Sequence, residues 1–248
     1  MRLDQALVAR GDAPSRARAQ ALIAAGVVFV DGARAARPAQ NVGASSVIVV
    51  SEDPCPWVGR GALKLLHALD AFRLDPSGAV ALDLGASTGG FTEVLLARGA
   101  RHVHAVDVGT GQLHATLRAD ARVSSHEGVN ARDLSTLSLP AIDWIVADVS
   151  FISLTLALPP ALGLARPGAV LVALVKPQFE AGRAAIGRGG RVRDPSALDS
   201  ARARVRDFLT SAGWTVTHEA ESPIAGGDGA KEFLIAAHAP LDDGGACA

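Results

Sequence analysis

Beyond its first quarter, the chain alternates short apolar stretches with helix-like stretches, and this alternation is what most limits its fold. The runs at 79–84, 142–147 and 169–175 have the length and apolar content of buried strands. Segments such as 63–71, 91–97 and 195–212 have helical spacing or helix-boundary signals and lie before, between and after those strands in turn. Strands that alternate with helices predict an α/β domain on a mostly parallel, doubly wound sheet of the Rossmann-like kind.

The first 50 residues carry a separate, smaller pattern. Two helix-spaced stretches precede an apolar strand at 27–30, a turn and a second strand at 47–50, which predicts a small α+β domain. A helical hairpin whose β-ribbon serves only as a dimer contact is the alternative. Three motifs stand out, which are Arg2-Leu3-Asp4, Ser15-Arg16-x-Arg18-Ala19-Gln20 and Gly26-Val27-Val28-x-Val30-x-Gly32. Together they resemble the αL-type RNA-binding domain of pseudouridine synthases and of a small-subunit ribosomal protein.

Charge is distributed unevenly between this domain and the rest. Residues 1–50 carry six arginines and three aspartates, a net charge of +3, which leaves −4 on the remainder because the whole chain has −1. A positive module joined to a neutral or acidic domain is typical of a nucleic-acid anchor on an enzyme, although so small an imbalance also arises by chance. Arg2, Arg16 and Arg18 are the candidates here for contact with RNA.

Composition excludes several classes of protein. No apolar run approaches the ~18–20 residues of a membrane span. The amino terminus lacks the basic start and apolar stretch of a signal peptide. Cys55 and Cys247 are the two cysteines, too few for a disulfide framework or a cysteine-rich metal site. We therefore expect a cytoplasmic protein with no membrane partner and no metal.

Two prolines mark the expected boundary between the domains. Pro54 and Pro56 favour an extended linker. We predict an RNA-binding domain at 1–53, a linker at 54–59, the α/β domain at 60–240 and a disordered tail at 241–248.

A glycine-rich turn after the strand at 79–84 is the strongest sign of a ligand site. It runs from Asp83 to Thr92 as Asp-Leu-Gly-Ala-Ser-Thr-Gly-Gly-Phe-Thr. Its spacing is neither that of a dinucleotide fingerprint nor that of a phosphate loop. Glycines let the backbone approach a ligand, and the following helix offers N–H groups. A purely structural tight turn is the alternative.

A second acid, Asp107, ends the next strand, and the two acids with the turn between them match the fingerprint of an S-adenosylmethionine site. Asp107 is expected to accept from ribose hydroxyls. Asn130 follows the third strand and is expected to flank the adenine, with a plain loop as the alternative. The candidates for cofactor contact are Asp83, Gly85, Ser87, Thr88, Gly89, Gly90, Phe91, Asp107, Asn130 and Asp148.

Lysine is rare in this chain. Of 24 basic residues only Lys64, Lys176 and Lys231 are lysines. Because arginine has replaced lysine almost everywhere else, the remaining lysines mark candidate positions where arginine cannot serve. Lysine, unlike arginine, can lose its proton near neutral pH.

Five motifs follow one another along the chain. They are Trp57-Val58-Gly59-Arg60-Gly61-Ala62-Leu63-Lys64-Leu65, the glycine turn, Asp148-Val149-Ser150-Phe151-Ile152-Ser153-Leu154, Val175-Lys176-Pro177-Gln178-Phe179-Glu180, and Ser222-Pro223-Ile224 through Glu232-Phe233-Leu234. In this order they resemble the TlyA (hemolysin A) family of ribosomal RNA methyltransferases, over nearly the whole chain. The chain departs from the family at three positions. Gly59 and Ala62 stand where Ser and Gly are usual, and Lys231 stands where Asn is common.

That family resembles the FtsJ-like 2′-O-methyltransferases, whose site is a Lys-Asp-Lys-Glu tetrad. The resemblance places the tetrad on Lys64, Asp148, Lys176 and Glu232, so two of the three lysines fall on it. A ribose 2′-hydroxyl is a poor nucleophile until its proton is removed. Lys176, beside Lys64 and partly desolvated, is expected to act as a neutral base. Asp148 and Glu232 are expected to orient the lysines and the hydroxyl. Surface ion pairs are the alternative for all four.

The segment 182–193 is rich in glycine and carries four arginines. We predict a loop that holds RNA phosphates beside the site, with a solvated loop that binds no partner as the alternative. Its candidates, together with one on the segment before the first helix of the α/β domain, are Arg183, Arg188, Arg191, Arg193 and Arg60.

The resemblance therefore implies an S-adenosylmethionine-dependent ribosomal RNA (cytidine-2′-O)-methyltransferase that acts on the small subunit, the large subunit or both. A non-catalytic RNA-binding or assembly factor, a haemolytic protein and a small-molecule methyltransferase are the alternatives. The intact tetrad, the missing membrane and secretion signals and the RNA-binding module argue against them in turn. The oligomeric state stays open, with a monomer favoured.

Overall fold

The computed structural model describes residues 1–13, 15–51, 56–182, 185–187, 191–192, 194–226 and 229–241. The chain divides into two compact units, Met1–Pro56 and Trp57–Ala248. Positions 54 and 55 of the predicted linker and positions 242–248 of the predicted tail lie outside the described residues.

The first unit is a pair of helices with a small antiparallel sheet. Its elements are α1 (Leu3–Ala9), α2 (Arg16–Ala24), β1 (Val28–Val30), β2 (Ala33–Arg34) and β3 (Ile48–Val50). The central strand β1 pairs with β2 on one side and with β3 on the other. Leu3, Leu7, Leu22 and Ile23 of the helices pack with Val28 in one buried cluster. This is the α+β arrangement that the two helical stretches and the two apolar strands predict.

The second unit alternates strands and helices. In chain order its elements are α3 (Gly61–Phe72), β4 (Val80–Leu84), α4 (Gly90–Ala97), β5 (His102–Asp107), α5 (Ala115–Arg118), β6 (Val123–Glu127), a 3-10 helix (Ala131–Thr136), β7 (Ile142–Ala147), α6 (Leu154–Ala157), α7 (Pro159–Leu162), β8 (Ala165–Val175), α8 (Pro177–Glu180), α9 (Pro195–Ser211), β9 (Thr215–Glu221) and β10 (Phe233–His238).

Seven of these strands form one sheet in the order β6-β5-β4-β7-β8-β10-β9. The first five run parallel to one another, and β10 is inserted antiparallel between β8 and β9. The strand order reverses between β4 and β7, and ligands of open α/β sheets bind at the carboxyl ends of the strands beside such a switch point. The predicted mostly parallel, doubly wound α/β sheet is therefore confirmed.

Both faces of the sheet are covered. On one face Leu82, Ile145 and Leu171 pack with α6, α7 and α9, and on the other Ala81, Val146 and Val172 pack with α3 and α4. Neighbouring positions along each central strand thus serve opposite cores, which explains why these strands are apolar at every position rather than at every second one.

One strand extends beyond its sequence-based bounds. Strand β8 begins at Ala165, four residues before the predicted start, because it pairs with β7 from Ile142 onward in spite of Pro167 and Gly168. The segment 154–164 is a helical stretch that Pro159 and Pro160 interrupt in the sequence, and it forms two short helices, α6 and α7. Pro159 lacks a backbone N–H and opens α7 instead of continuing α6.

No helix in the described part of the chain is long and apolar enough to cross a membrane. Among the same residues, no group of three or more His, Cys, Asp or Glu side chains is arranged to hold a metal ion.

Candidate active site

The glycine turn between β4 and α4 forms the floor of the site. Gly85 has φ 79°, and a Cβ built on it would lie 2.7 Å from the carbonyl oxygen of Asp148. Gly89 has φ 99°, and a Cβ there would overlap the side chain of Leu117. These two positions require glycine, since other residues rarely adopt such φ values and have no space here. The turn therefore presents bare backbone at the switch point of the sheet.

Asp107, at the end of β5, fixes the shape of this turn. The Ser87 amide donates to its Oδ2 at 2.8 Å, and the Gly109 amide donates to its Oδ1 at 2.7 Å. Each carboxylate oxygen has two lone-pair sites, so both retain capacity to accept from a ligand hydroxyl. The Asp107 side chain also lines the larger of two adjoining pockets at this end of the sheet. Asp107 can therefore hold the turn and accept a hydrogen bond from a ligand at the same time.

Two adjoining pockets open at the carboxyl ends of the central strands. The larger has a volume of about 950 Å³ and is lined by Asp107, Asn130 and the loop after β7. The smaller has a volume of about 250 Å³ and is lined by Lys64 and the start of α4. Gly85, Ser87 and Asp148 line both, so the pockets meet at the glycine turn. The larger volume falls in the range of ~300–1,000 Å³ that is usual for small-ligand sites.

Most of the predicted cofactor contacts line these pockets. Thr88, Gly90 and Phe91 line the smaller one, and Asn130 lines the larger one. The Asn130 side chain also accepts from the Arg132 amide at 3.0 Å and so caps the 3-10 helix.

Asp83 is placed differently from the expectation. Its side chain is fully buried in β4 and lines neither pocket in the described part of the chain. The Thr92 hydroxyl donates to Asp83 Oδ2 at 2.7 Å, while no described residue donates to Oδ1. Burial raises the pKa of Asp83 to about 7, against the opposing effect of the Thr92 hydrogen bond. Asp83 therefore supports the turn from its buried side, since its position in β4 directs its side chain towards Thr92 of α4.

The four predicted tetrad residues lie together beside the turn. Lys64 Nζ donates to Glu232 Oε2 at 2.7 Å and lies 3.8 Å from Asp148 Oδ2. Lys176 Nζ lies 2.6 Å from Asp148 Oδ1. Asp148 therefore bridges the two lysines, one through each of its carboxylate oxygens.

Three of these four side chains are buried. Lys64, Lys176 and Glu232 are 7%, 8% and 4% exposed. Asp148 is the most accessible of the four, with 19% of its side chain exposed. With all four ionised the group has no net charge, and burial of so many charges is tolerated only when each has partners. The surface ion-pair alternative does not fit this degree of burial.

The fold explains why residues far apart in sequence meet here. Asp148 follows β7 and Lys176 follows β8, two adjacent parallel strands that end at the same edge of the sheet. Glu232 immediately precedes β10, which runs the opposite way, so its first residues reach that same edge. Lys64 comes from the first turns of α3.

The loop after β7 carries two further candidate functional residues, Ser150 and Phe151. Both belong to the motif that contains Asp148, but no role was predicted for either from the sequence. The Ser150 hydroxyl accepts from Lys176 Nζ at 2.8 Å. Phe151 is 92% exposed at φ 65°, an unfavourable conformation for an aromatic residue, and its ring centroid lies 5.4 Å from that of Phe179. Both Ser150 and Phe151 line the larger pocket.

Glu180 holds this loop in place. It is 2% exposed and accepts from the Ser153 hydroxyl at 2.5 Å and from the Leu154 amide at 2.7 Å. Burial raises the pKa of Glu180, and these two hydrogen bonds oppose the rise. The sequence signal for Ser150 and Glu180 was their place in the two motifs that carry Asp148 and Lys176.

The predicted RNA-binding arginines are spread over both units. In the first unit, Arg2 and Arg16 donate to Asp4, and these hydrogen bonds, that of Arg2 foremost, hold the pKa of Asp4 below its usual range. Arg18 lies in the first turn of α2, where its amide donates to Ser15. In the second unit, Arg60 lines the smaller pocket.

The loop arginines are described only in part. The Arg191 carbonyl accepts from the Gly187 amide at 2.9 Å. Arg183, Arg188 and Arg193 lie outside the described residues. Lys231, by contrast, forms an exposed ion pair, 3.3 Å from Glu221.

Comparison with known proteins gives a consistent result. Residues 57–239 match the model of the FtsJ-like methyltransferase family, and residues 1–48 match that of the S4 domain. The Mycobacterium tuberculosis 16S/23S rRNA (cytidine-2′-O)-methyltransferase TlyA is 46% identical over 236 residues, 94% of this chain and 88% of the relative. Hemolysin A of Brachyspira hyodysenteriae is 37% identical, over 94% of this chain and 98% of the relative.

Solved structures agree on the fold. A solved Streptococcus thermophilus structure, provisionally described as that of a hemolysin, superposes on this chain with a TM-score of 0.76 at 38% sequence identity. The match covers 98% of this chain and 90% of that one. Aeropyrum pernix fibrillarin, solved with bound S-adenosyl-L-methionine, has a TM-score of 0.52 at 16% identity, over 72% of this chain and 74% of its own, and is similar in fold alone.

Proposed function

Because the chain belongs to the TlyA (hemolysin A) family of FtsJ-like methyltransferases, we propose that it methylates the 2′-hydroxyl of a cytidine in ribosomal RNA, with S-adenosylmethionine as the methyl donor. One observation carries the proposal. The buried Lys64-Asp148-Lys176-Glu232 cluster lies at the meeting point of the two pockets, where Asp148 lines both.

The residues that line the larger pocket support it as the site of the cofactor. Gly85 leaves the space that a Cβ would fill, and Asp107 keeps free acceptor capacity for two ribose hydroxyls. Asn130 lines the same pocket and is proposed to flank the adenine. When bound, the cofactor supplies an electrophilic methyl group on a positively charged sulfur. Asp148, at the junction of the pockets, is the carboxylate placed to favour that charge.

The chain's own residues handle the acceptor and its proton. Lys176 is proposed to take the proton of the 2′-hydroxyl, with Asp148 and Glu232 orienting the two lysines. Because the lysines are buried and held by carboxylates, we expect their positions to be set before the acceptor arrives, and we infer that the site works mainly by alignment of the reacting atoms. The exposed face of Phe151 at the rim is available for stacking with a base.

The first unit is proposed to anchor the ribosomal substrate. Arg2, Arg16 and Arg18 lie on its helical layer, and the first two keep more than 40% of their side chains exposed while paired with Asp4. Guanidinium groups held by a buried carboxylate are preoriented for phosphate oxygens. Arg60 at the smaller pocket and the loop arginines are proposed to continue this contact beside the site.

The test is transfer of labelled methyl from S-adenosylmethionine to purified unmodified ribosomal subunits, followed by nuclease digestion and mass spectrometry of the nucleosides. We expect 2′-O-methylcytidine from at least one subunit, and the product would name that subunit. A Lys176→Arg variant serves as the control for contaminating activity. No incorporation into either subunit or into naked ribosomal RNA, with cofactor binding intact, would refute the proposal in favour of a non-catalytic RNA-binding role.

A further inference from the structure

The Ser150 hydroxyl connects the amine of Lys176 to the larger pocket. Lys176 Nζ donates to Ser150 Oγ at 2.8 Å. The lysine side chain is 9% exposed and lines neither pocket in the described residues, whereas Ser150 is exposed and lines the larger one. The hydroxyl therefore stands between a buried amine and the solvent of the pocket.

A buried base needs such a connection in order to turn over. Methylation of a hydroxyl frees one proton, which Lys176 holds as an ammonium in the proposed function. Asp148, the other close neighbour of Nζ at 2.6 Å, is a carboxylate that only accepts hydrogen bonds when ionised, so it has no proton of its own to pass on. A serine hydroxyl is uncharged and can both accept and donate, which allows it to pass a proton on.

We propose that Ser150 is a positioning residue for Lys176 whose hydroxyl carries the proton between the amine and the water of the pocket. This inference rests on the proposed function. The acceptor oxygen gives its proton to the neutral Lys176 amine. The resulting ammonium gives one proton to Ser150 Oγ while Ser150 gives its own hydroxyl proton to water. The net result is one proton moved from the acceptor to solvent, and Lys176 returns to its neutral form without any change in oxidation state.

The scarcity of lysine makes the idea directly measurable. The chain has three lysines, so lysine-labelled protein gives three side-chain ammonium signals in nuclear magnetic resonance spectra recorded at a pH low enough to protonate all three. A Lys176→Met variant assigns the signal of interest, and exchange of its hydrogens with water is then measured on the full-length, cofactor-free protein. The variants are Ser150→Ala and Ser150→Thr. Ser211→Ala, at the end of α9, is the matched control because its hydroxyl donates to the Phe208 carbonyl, away from the site.

The sign of the effect separates a relay from a simple structural partner. We expect slower hydrogen exchange at Lys176 in Ser150→Ala, with wild-type exchange in Ser150→Thr and Ser211→Ala. Removal of a merely structural hydrogen bond would leave the ammonium less protected and speed up its exchange. Unchanged or faster exchange in Ser150→Ala would therefore overturn the proposal.

A kinetic arm separates this inference from the proposed function. In single-turnover methyl transfer to ribosomal subunits across a pH series, Ser150→Ala should be slower by about tenfold or more near neutral pH, because a proton-transfer partner contributes at least that much. The difference in rate between Ser150→Ala and wild type should become smaller at high pH. Ser150→Thr should restore the wild-type rate, and the affinity for the cofactor should be unchanged in both variants. An inactive wild-type protein would refute the function and the relay with it. An active wild type with an unaltered Ser150→Ala profile would refute the relay alone.

Discussion

Lys64 and Glu232 form a buried ion pair of 2.7 Å across 168 residues of sequence. The pair joins the first helix of the second unit to the start of its antiparallel strand β10, so the two ends of the domain meet at the site. The loop before β10 is shaped around it, because a Cβ on Gly226 would lie 2.5 Å from Glu232 Oε1. The site and the closure of the domain therefore depend on the same ion pair.

This pair should show strong energetic coupling. Glu232→Leu or Lys64→Met alone leaves one buried charge with poorer compensation, and we expect each to lower the free energy of unfolding by about 3 kcal/mol. The double variant removes both charges and should be destabilised clearly less than the sum of the two single effects. Urea unfolding of the four proteins measures the coupling. Additive destabilisation would show that the two charges are independently solvated.

Arginine should not replace the proposed base. Lys176→Arg keeps a positive charge beside Asp148, so we expect a folded protein that still binds the cofactor. Methyl transfer should fall to the background of the assay, because a guanidinium does not become neutral at working pH. Calorimetric titration of the cofactor and the ribosomal assay test the two halves of this prediction. Substantial methyl transfer by the variant would exclude Lys176 as the base.

Gly85 should be required for cofactor binding for reasons of space. Gly85→Ala introduces a Cβ 2.7 Å from the Asp148 carbonyl oxygen, which must displace the loop that lines both pockets. We expect cofactor affinity to fall by at least about tenfold, equivalent to ~1.4 kcal/mol. Gly78→Ala is the matched control, since Gly78 has nearly the same φ, 75°, but no atom within 4 Å of its added Cβ. An equal fall in affinity in both variants would indicate backbone strain rather than a clash at the site.

The fold was largely predictable because the strands of the second unit are buried on both faces. Their continuous apolar runs mark them in the sequence, and the helices between them carry start and stop residues. Edge strand β6, with Ser124, Ser125 and His126 in its middle, carries little such signal. The extension of β8 to Ala165 depends on pairing with β7, a tertiary contact that local sequence does not encode.

The site was less predictable from residues alone. Rarity of lysine pointed to Lys64, Lys176 and Lys231 alike, so it did not separate the two site lysines from the exposed one. The partnership of Lys64 with Glu232 needed the family resemblance, because their separation in sequence carries no spacing rule. The turn motif suggests Asp83 as a cofactor contact. The strand instead directs its side chain into the core, which the motif alone does not reveal. Ser150 and Glu180 stand in the motifs of Asp148 and Lys176, but their roles depend on contacts of the loop after β7 with Lys176 and with the end of α8, which local sequence does not encode.

Asp83 should make stability depend on pH in a direction opposite to that of most carboxylates. Its pKa is raised by burial to about 7 in the folded protein, above its value in the unfolded chain. Its contribution to stability is therefore fully present below about pH 4 and is lost as the pH rises through about 7. In Asp83→Asn this dependence is absent. As the pH rises from about 4 to about 7, the free energy of unfolding of Asp83→Asn should increase relative to that of wild type by on the order of 4 kcal/mol.

Urea unfolding of wild type and Asp83→Asn at a series of pH values measures that difference. Thr92→Val is a useful companion, because it removes the hydroxyl that donates to Asp83 but leaves the carboxyl in place. A difference between wild type and Asp83→Asn that does not change from pH 4 to pH 8 would show that Asp83 titrates as it does in the unfolded chain.

The first unit should govern ribosomal binding without affecting the cofactor site. Arg16→Ala/Arg18→Ala in the full chain should weaken binding of the ribosomal substrate. The slope of its salt dependence should fall by about one unit for each phosphate that the variant no longer neutralises. Arg101→Ala is the matched control, since Arg101 is exposed and precedes β5 at the opposite edge of the sheet from the site. Filter binding of ribosomal subunits at several salt concentrations, with cofactor titration in parallel, makes the measurement.

Deletion of residues 1–53 should weaken substrate binding further than the double variant, because it removes every arginine of the first unit at once. Cofactor binding should survive the deletion, since Gly85, Asp107 and Asn130 all belong to the second unit. The same filter-binding and cofactor titrations measure both effects. If ribosomal affinity were unchanged in both the double variant and the deletion, the anchor would have to be sought in the second unit, at Arg60 and the arginine-bearing loop.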